Sequence, residues 1–198
     1  VLQITFCQSV KCIQGISALK NLSCLSLMGC VELEDIAVLG NLDQLCSLDL
    51  SLCNQLTTDQ LQILLSLDQL TTLKLNGVEF LPDLEIIRQL RKLERLSLLD
   101  CPKLFDIEGI QELKSLVFLA VGGCKFTDLS PLYFLPYLRS LHLDTMHNLK
   151  HLDSILGMSK LDSLAVTNCN ELIDTSGADH LVRSSRVVIS YSPEILEC

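Results

Sequence analysis

Three residue types that form hydrolytic triads lie at alternate positions of one short segment, Ser140-x-His142-x-Asp144. In a β-strand, alternate residues point to the same face about 7 Å apart, so these side chains would share one surface. A working triad also needs serine and aspartate on opposite imidazole nitrogens, with an oxyanion hole beside the nucleophile. The open face of a strand offers neither feature. The sequence therefore predicts a polar contact patch here and no catalysis.

Histidines and cysteines also occur at spacings that suggest metal binding. His147 and His151 are four residues apart, as two metal ligands on an α-helix would be. Apolar residues in this part of the chain recur every third position, so the two histidines need not share a face. The chain has no C-x-x-C pair, and Cys7 and Cys12 are spaced too widely for a zinc half-site. The sequence therefore predicts neither a metal nor another cofactor.

The ten cysteines would suit a disulfide-rich secreted protein if they were clustered. Six of them instead fall at one position of a repeat, and we call these six the cysteine ladder: Cys7, Cys30, Cys53, Cys101, Cys124 and Cys169. One cysteine per repeat predicts a small buried side chain whose S–H donates weakly to a carbonyl. Neighbouring thiols of such a ladder point in parallel, which would strain a disulfide. The pattern favours free thiols and an intracellular location, cytoplasmic or nuclear.

The repeat follows the pattern L-x-x-L-x-L-x-x-C. It fits seven times, starting at Leu22, Leu45, Leu70, Leu93, Leu116, Leu138 and Leu161, in steps of 23, 25, 23, 23, 22 and 23 residues. All 28 anchor positions are apolar, and 19 of the 21 aliphatic anchors are leucine. The register continues upstream in Leu2, Ile4 and Cys7, and downstream in Val187 and Ile189. The chain therefore contains about nine turns of one unit.

Between these segments the apolar residues recur every third position, as in Leu33, Ile36, Leu39 and Leu42. This period fits 3₁₀-like turns, in which residues i and i+3 lie above one another. Two extra residues in segment 57–67 are expected to make it a short α-helix. A single coil cannot bury its own leucines, but stacked coils cover one another.

These patterns predict the α/β class, as a right-handed solenoid of about nine turns. Its parallel β-sheet would form the concave face, with short 3₁₀, extended or helical segments on the convex face. The 198 residues are expected to be a single domain of a longer protein. Val1 opens directly on a strand, whereas solenoids carry a cap at each end. Ser184, which replaces a leucine anchor, suggests that the other end is closer to complete.

The chain resembles the leucine-rich-repeat superfamily over nearly its whole length. The segment Asp128-Leu129-Ser130-Pro131-Leu132 is similar to the short repeats of phosphatase regulators and bacterial internalins, which normally carry asparagine where this chain carries cysteine. The cysteine, and the run Cys101-Pro102-Lys103-Leu104, resemble the cysteine-containing class found in F-box substrate adaptors. Because the chain combines features of both classes, the resemblance implies a fold but no particular partner.

Residues that flank the inner leucines of each strand point to the concave face. Most are small, and those with longer side chains form the predicted partner-binding surface: Met28, Asp49, Lys74, Asn76, Arg95, Leu99, Phe118, His142 and Asp144. Arginine and aromatic residues are common interface anchors. The charges on this face nearly cancel, so most of the net charge of −9 is expected on the convex side and the edges. An edge, the convex side or a missing domain is the alternative contact surface.

Composition restricts the class of partner. A net charge of −9 disfavours nucleic acids and acidic membranes, because phosphate binding uses surplus lysine and arginine. No apolar run approaches the roughly 20 residues that span a bilayer, and no small-molecule substrate is expected.

The sequence predicts a non-enzymatic adaptor or scaffold that binds another protein through its preorganised concave face. One alternative is an extracellular adhesin or receptor ectodomain, although neither end shows a cysteine-rich cap. The other alternative is the targeting arm of an enzyme whose catalytic domain lies outside this chain.

Overall fold

The computed structural model describes residues 1–181 and 186–190, so the prediction for Ser184 lies outside the described residues. Within these residues, nine short strands form one parallel sheet in chain order. They are β1 (Leu2–Gln3), β2 (Cys24–Ser26), β3 (Ser47–Asp49), β4 (Thr72–Lys74), β5 (Arg95–Leu98), β6 (Phe118–Gly122), β7 (Ser140–Asp144), β8 (Ser163–Thr167) and β9 (Arg186–Ser190). Inner leucines pair across the sheet, with Leu73 opposite Leu96 and Leu96 opposite Leu119. The predicted solenoid is confirmed.

The segments between the strands contain 3₁₀ turns, as their period of three predicts. They are η1 (Gln14–Ala18), η2 (Ala37–Asn41), η3 (Asp59–Ser66), η4 (Ile87–Gln89), η5 (Ile110–Glu112), η6 (Ser130–Phe134), η7 (Asp153–Ile155) and η8 (Ser176–Ala178). In the second turn of the solenoid, the Leu39 amide donates to the Ile36 carbonyl at 3.0 Å and the Leu42 amide to the Leu39 carbonyl at 2.9 Å. This i to i−3 bonding holds every third residue against the core.

The prediction of a short α-helix in segment 57–67 is wrong. The two extra residues lengthen a 3₁₀ helix, η3, to eight residues. Its bonds keep the i to i−3 pattern, with the Leu67 amide 3.0 Å from the Leu64 carbonyl. Leu61, Leu64 and Leu67 are all buried. Residues spaced by three lie on one face of a helix with three residues per turn, which is the 3₁₀ geometry.

The leucine anchors form one continuous core along the stack. From Leu22 to Val166, every aliphatic anchor of the seven repeats is at most 6% exposed. Leu2 and Ile4 in the first turn, and Val187 and Ile189 in the last, are partly buried and pack against this core. Because full burial of a leucine contributes about 1.5–3 kcal/mol, the repeated anchors account for the stability of an otherwise thin structure.

A left-handed backbone conformation marks the corner where each strand ends. The left-handed residue precedes the ladder position of each turn, which is a cysteine in six turns and is Val78 or Met146 in the other two. These residues have φ between 51° and 73°, and the eight corner positions are Phe6, Gly29, Leu52, Gly77, Asp100, Gly123, Thr145 and Asn168. In the first six corners a residue with a side chain alternates with glycine. A Cβ added at Gly29 would collide with the Phe6 ring, and one added at Gly77 would collide with Leu52 Cδ2. The glycines therefore make room for the side chain of the preceding corner.

Leu96→Ala is expected to lower the free energy of unfolding by about 2–5 kcal/mol, because Leu96 is fully buried between two neighbouring turns. Leu156→Ala is the control, since Leu156 is largely exposed and its loss is expected to change stability by on the order of 0.5 kcal/mol. Urea denaturation followed by circular dichroism measures both. Equal midpoints for Leu96→Ala and the wild type would show that the register of the repeat is wrong.

Gly77→Ala is expected to destabilise the fold by at least about 1–2 kcal/mol, the cost of a left-handed conformation in a residue with a Cβ. The collision with Leu52 adds to this cost. Gly15→Ala is the matched control, because its added Cβ meets no atom within 4 Å and its φ is not left-handed. We expect that control to be neutral or slightly stabilising in thermal melts. Similar melting temperatures for the two variants would contradict this role of the corner glycines.

Candidate functional site

Six of the nine predicted contact residues line one shallow depression on the concave face. It spans β4 to β7, has a volume of about 250 Å³, and is here called the central depression; its predicted contact residues are Lys74, Asn76, Arg95, Leu99, Phe118 and His142. The parallel register brings them together, since it sets Arg95 opposite Phe118 and Ala120 opposite His142. Residues from four repeats therefore form one continuous surface.

Arg95 and Phe118 form the centre of the depression. The guanidinium carbon of Arg95 lies 4.3 Å from the centroid of the Phe118 ring, which is a cation–π contact. Arg95 is exposed and Phe118 is half-buried. Within the part of the chain that the structure describes, the guanidinium of Arg95 makes no hydrogen bond or ion pair. Its position is thus held by an aromatic ring while its N–H donors remain available.

Asn76 connects the strands that carry the depression. Its side-chain oxygen accepts hydrogen bonds from Ser97 Oγ at 2.7 Å and from the Leu99 amide at 2.9 Å. Its own backbone amide donates to Ser51 Oγ at 3.1 Å. The sequence predicts that Asn76 reaches toward a partner, but its side-chain oxygen accepts these two hydrogen bonds from the neighbouring strand and the residue that follows it. Its structural effect is to fix Leu99 and Ser97 in the floor.

Met28 and Asp49 lie outside the central depression. Asp49 Oδ1 accepts the Ser51 amide at 3.0 Å, and Asp49 Oδ2 lies 3.9 Å from Lys74 Nζ. Met28 is half-buried two residues after the end of β2, and β2 lies two strands before the strand of Lys74. Asp49, on β3, borders the depression on its upstream side, whereas β3 separates Met28 from it.

Asp144 accepts three side-chain hydrogen bonds from its own and the following repeat. Thr145 Oγ1 donates to Oδ2 at 2.8 Å, Asn168 Nδ2 donates to Oδ1 at 3.0 Å, and Thr167 Oγ1 also donates to Oδ1. Burial opposes ionisation, but these hydrogen bonds and the nearby His142 outweigh it, so the pKa of Asp144 lies below its ordinary value. The carboxylate of Asp144 is ionised, and both of its oxygens already accept hydrogen bonds within the protein.

The Ser140, His142 and Asp144 alignment does not have the connectivity of a triad. His142 Nε2 lies 3.1 Å from Thr167 Oγ1, and the Thr167 hydroxyl donates to Asp144. With its proton directed to Asp144, the Thr167 oxygen accepts the imidazole N–H. The hydrogen bonds between His142 and Asp144 therefore run through Thr167. The absence of catalysis from this chain remains a prediction.

Packing within the sheet explains why several residues in and beside the depression are small. Ala120 and Ser97 are buried and form its floor. Gly122 is fixed by its neighbour, because an added Cβ would collide with the backbone oxygen of Asp144 on the paired strand. Glycine at this position is therefore required by the pairing of β6 with β7, whether or not a partner approaches.

The cysteine ladder is buried as predicted, except for Cys7, which is half-buried. The remaining five ladder thiols each donate to carbonyls at the strand ends. Cys30 Sγ lies 3.1 Å from the Ile4 oxygen, and Cys53 Sγ lies 3.1 Å from the Leu27 oxygen. Cys101 repeats the contact with the Leu75 oxygen at 3.2 Å. Each of these thiols thereby satisfies a backbone carbonyl of the previous repeat.

Burial makes the ladder thiols poor nucleophiles. It raises the pKa of Cys53 and of Cys101 from 9.0 to about 12, and the pKa of Cys124 to about 11. A folded pKa above the unfolded value means that these thiols contribute stability below pH 9.0. That contribution is lost as the pH rises from 9.0 toward 12.

An aromatic cluster on the back of the solenoid was not identified from the sequence. Tyr133, Phe134 and Tyr137, here called the back aromatic cluster, have 60%, 60% and 59% of their surface exposed. The rings of Tyr133 and Phe134 meet edge to face with centroids 5.7 Å apart. The available signal was the run in 131–137, where aromatic residues occupy positions between the leucine anchors.

A column of aspartates on the back was also missed. Each accepts the backbone amide two residues later, at 2.8–3.0 Å, and the five are Asp35, Asp83, Asp106, Asp128 and Asp174. The Ser130 and Ser176 amides lower the pKa of Asp128 and of Asp174. This aspartate column starts the turn into the back segment, and it places negative charge away from the central depression, as the sequence predicts.

Residues 1–181 and 186–190 contain neither a metal-binding cluster nor a membrane-spanning helix. No three His, Cys, Asp or Glu side chains there are grouped closely enough to hold a metal ion. His151 Nδ1 lies 3.9 Å from Asp174 Oδ2, and His147 is exposed. In the same residues, no helix has the length and apolar character that crossing a bilayer requires.

No protein-family model and no curated protein sequence matches the chain. Solved structures do match. The internalin InlF of Listeria monocytogenes has a TM-score of 0.72 and 23% identity over 92% of this chain and 52% of its own. TLR13, solved as a complex with ssRNA13, has a TM-score of 0.67 and 23% sequence identity, and the match covers 91% of this chain and 27% of TLR13. The functional domain of InlJ from Listeria monocytogenes, which includes a cysteine ladder, has a TM-score of 0.53 and 16% sequence identity. This match covers 88% of this chain and 51% of the InlJ chain.

The repeat, the parallel sheet and these likenesses show that the chain has the leucine-rich-repeat fold. It is similar to internalins and to TLR13, and it spans about half the length of InlF. At such identities the likeness shows the fold alone. It gives no support to the predicted intracellular location. Because TLR13 is solved with RNA, the fold itself does not exclude nucleic acids, and that prediction rests on charge.

We expect the buried ladder thiols to resist modification in the folded protein. A thiol-reactive dye at neutral pH should label the exposed Cys12 quickly, and should label Cys53 and Cys101 only as the chain unfolds. Mass spectrometry of digested samples gives the rate for each site. After denaturation without reductant, all ten cysteines should titrate as free thiols. Disulfides among ladder positions, or labelling of Cys53 as fast as Cys12, would contradict this assignment.

Proposed function

We propose that the chain is a non-enzymatic interaction module that binds another protein through its concave face, with the central depression as the main contact. The observation that carries this proposal is the pairing of Arg95 with Phe118. An exposed arginine held on an aromatic ring combines arginine, which is enriched among the residues that dominate interface energies, with an aromatic residue, a type enriched at interfaces. It lies at the middle strands of the sheet, where neighbouring side chains can exclude water from a contact.

Preorganisation of the floor supports the same proposal. The Asn76 oxygen holds Ser97 and Leu99, and the Thr167 hydroxyl holds His142 and Asp144. Side chains that are already fixed lose little conformational entropy when a partner binds, so more of the contact energy remains as affinity. A parallel sheet within a stacked core is likewise rigid before binding.

We further propose that the module acts as an adaptor or scaffold inside the cell. The support is the cysteine ladder, whose thiols are free and donate to carbonyls of the previous repeat. Such thiols persist in compartments kept reducing by glutathione.

The back aromatic cluster favours a second candidate, an interaction domain that binds through its convex side. Tyr133, Phe134 and Tyr137 are more exposed than Phe118 or Leu99 of the central depression. A group of exposed aromatic side chains is uncommon on a surface that contacts only water. The same experiment distinguishes the two surfaces.

Arg95→Glu and Phe118→Ala are expected to weaken partner binding by at least about 1–2 kcal/mol, or about tenfold in Kd. Affinity capture from cells supplies the partner, which is then purified and titrated against each variant. Lys92→Glu is the control, because it makes the same charge change three residues before Arg95, at an exposed position outside the central depression. Circular dichroism checks that every variant is folded.

Phe134→Ser tests the back aromatic cluster in the same titration. Unchanged affinity in this variant, with loss in Arg95→Glu and Phe118→Ala, is the expected pattern. Full affinity in both concave variants, with loss in Phe134→Ser, would move the contact to the convex side and overturn the proposal.

A further inference from the structure

We propose that the central depression recognises an acidic side chain of a partner peptide segment. The carboxylate would be bound by Arg95 and Lys74, and an adjacent apolar residue of the partner would contact the ring of Phe118, which lies opposite Arg95. This inference rests on the proposed function and extends it by naming the chemistry that is recognised.

The local charge of the depression is opposite to that of the chain. Its ionisable lining residues are Lys74, Arg95 and His142, and no aspartate or glutamate is among its lining residues. The chain as a whole carries a net charge of −9. A cationic surface within an acidic protein attracts an anion to this place and away from the back, where the aspartate column lies.

Arg95 has unused binding capacity. A guanidinium has five N–H donors and suits bidentate contact with a carboxylate. Among residues 1–181 and 186–190, the guanidinium of Arg95 donates to no acceptor, and its only assigned partner is the Phe118 ring at 4.3 Å. The ring restrains the arginine without using its donors, so a carboxylate can bind with little further ordering.

Lys74 can change partners readily. Its ammonium lies 3.9 Å from Asp49 Oδ2, its side chain is 52% exposed, and such a long exposed pair is weak. Asp49 keeps its hydrogen bond from the Ser51 amide when Lys74 turns away. Asp144, the other acidic residue predicted for this face, is engaged by Thr167, Thr145 and Asn168.

The size and charge of the site favour a peptide over a nucleic acid. A volume of about 250 Å³ fits one or two side chains. Binding a nucleic acid through its backbone uses several phosphate contacts, each with its own lysine or arginine. Lys74 and Arg95 supply two cations, in a chain whose net charge repels polyanions.

The test is a random peptide library displayed on phage and selected on the full chain. We expect enriched peptides to carry aspartate or glutamate beside an apolar residue. The strongest binder is then synthesised in two forms, one with its acidic residue and one with the corresponding amide. On the wild type, the acidic form should bind at least tenfold more tightly than the amide form.

The Arg95→Gln variant should abolish that preference, bringing the ratio of the two affinities close to one. Lys92→Gln is the matched control, since it removes one positive charge three residues before Arg95, outside the central depression, and should preserve the ratio. Added salt should reduce the ratio on the wild type, because the discrimination is electrostatic. Circular dichroism verifies folding of both variants.

Several outcomes would overturn the inference. They are a selection that enriches no peptide, a ratio near one on the wild type, and a ratio that Arg95→Gln leaves unchanged. Binding of a short oligouridine that depends on Arg95 would also overturn it, in favour of a nucleic acid. If peptides lose affinity in Phe118→Ala but show no acidic preference, the proposed function stands and this inference alone fails. Peptides that bind Arg95→Glu and Phe118→Ala as tightly as the wild type would count against both.

Discussion

Leu73, Leu96 and Leu119 face one another on consecutive strands, and each is fully excluded from solvent. This contact between equivalent leucines of adjacent turns is the constraint on which the rest of the molecule depends. A turn has no core of its own, so its strand, corner and back segment keep their shapes only while a neighbour covers them. The concave face exists because the same contact recurs at a fixed register. Any side chain that flanks these leucines is carried to that face at a position set by the core.

The corners show how the stack accommodates a sharp change in chain direction. The residue before each ladder position takes a left-handed conformation, which costs energy when that residue has a side chain, as in Phe6 and Leu52. Glycine in the next turn makes room for that side chain, as Gly29 and Gly77 do. Buried thiols then donate to backbone carbonyls of the previous turn, as Cys53 does to Leu27. Both devices work between neighbouring turns, and neither is a property of one turn alone.

Charge is divided between the two sides of the solenoid in a way that follows from these local structures. Aspartates such as Asp106 and Asp128 lie at the start of back segments because their carboxylates accept a backbone amide there. On the concave face, Asp49 and Asp144 are held by hydrogen bonds, while the guanidinium of Arg95 contacts only an aromatic ring within the described residues. The central depression therefore offers a cationic and partly apolar surface, and the back carries the aspartate column.

The sequence by itself determined the solenoid, the strand register and the residues that share the concave face. It could do so because the leucine period is local and repeats, and because strand alternation assigns Arg95 and Phe118 to one side. The tertiary structure decided how side chains 20 or more residues apart use their polar atoms. The Asn76 oxygen bonds Ser97, and Thr167 separates His142 from Asp144, because neighbouring turns bring these atoms within hydrogen-bonding distance. Such contacts depend on rotamers and on the spacing of the stack, which no single repeat encodes.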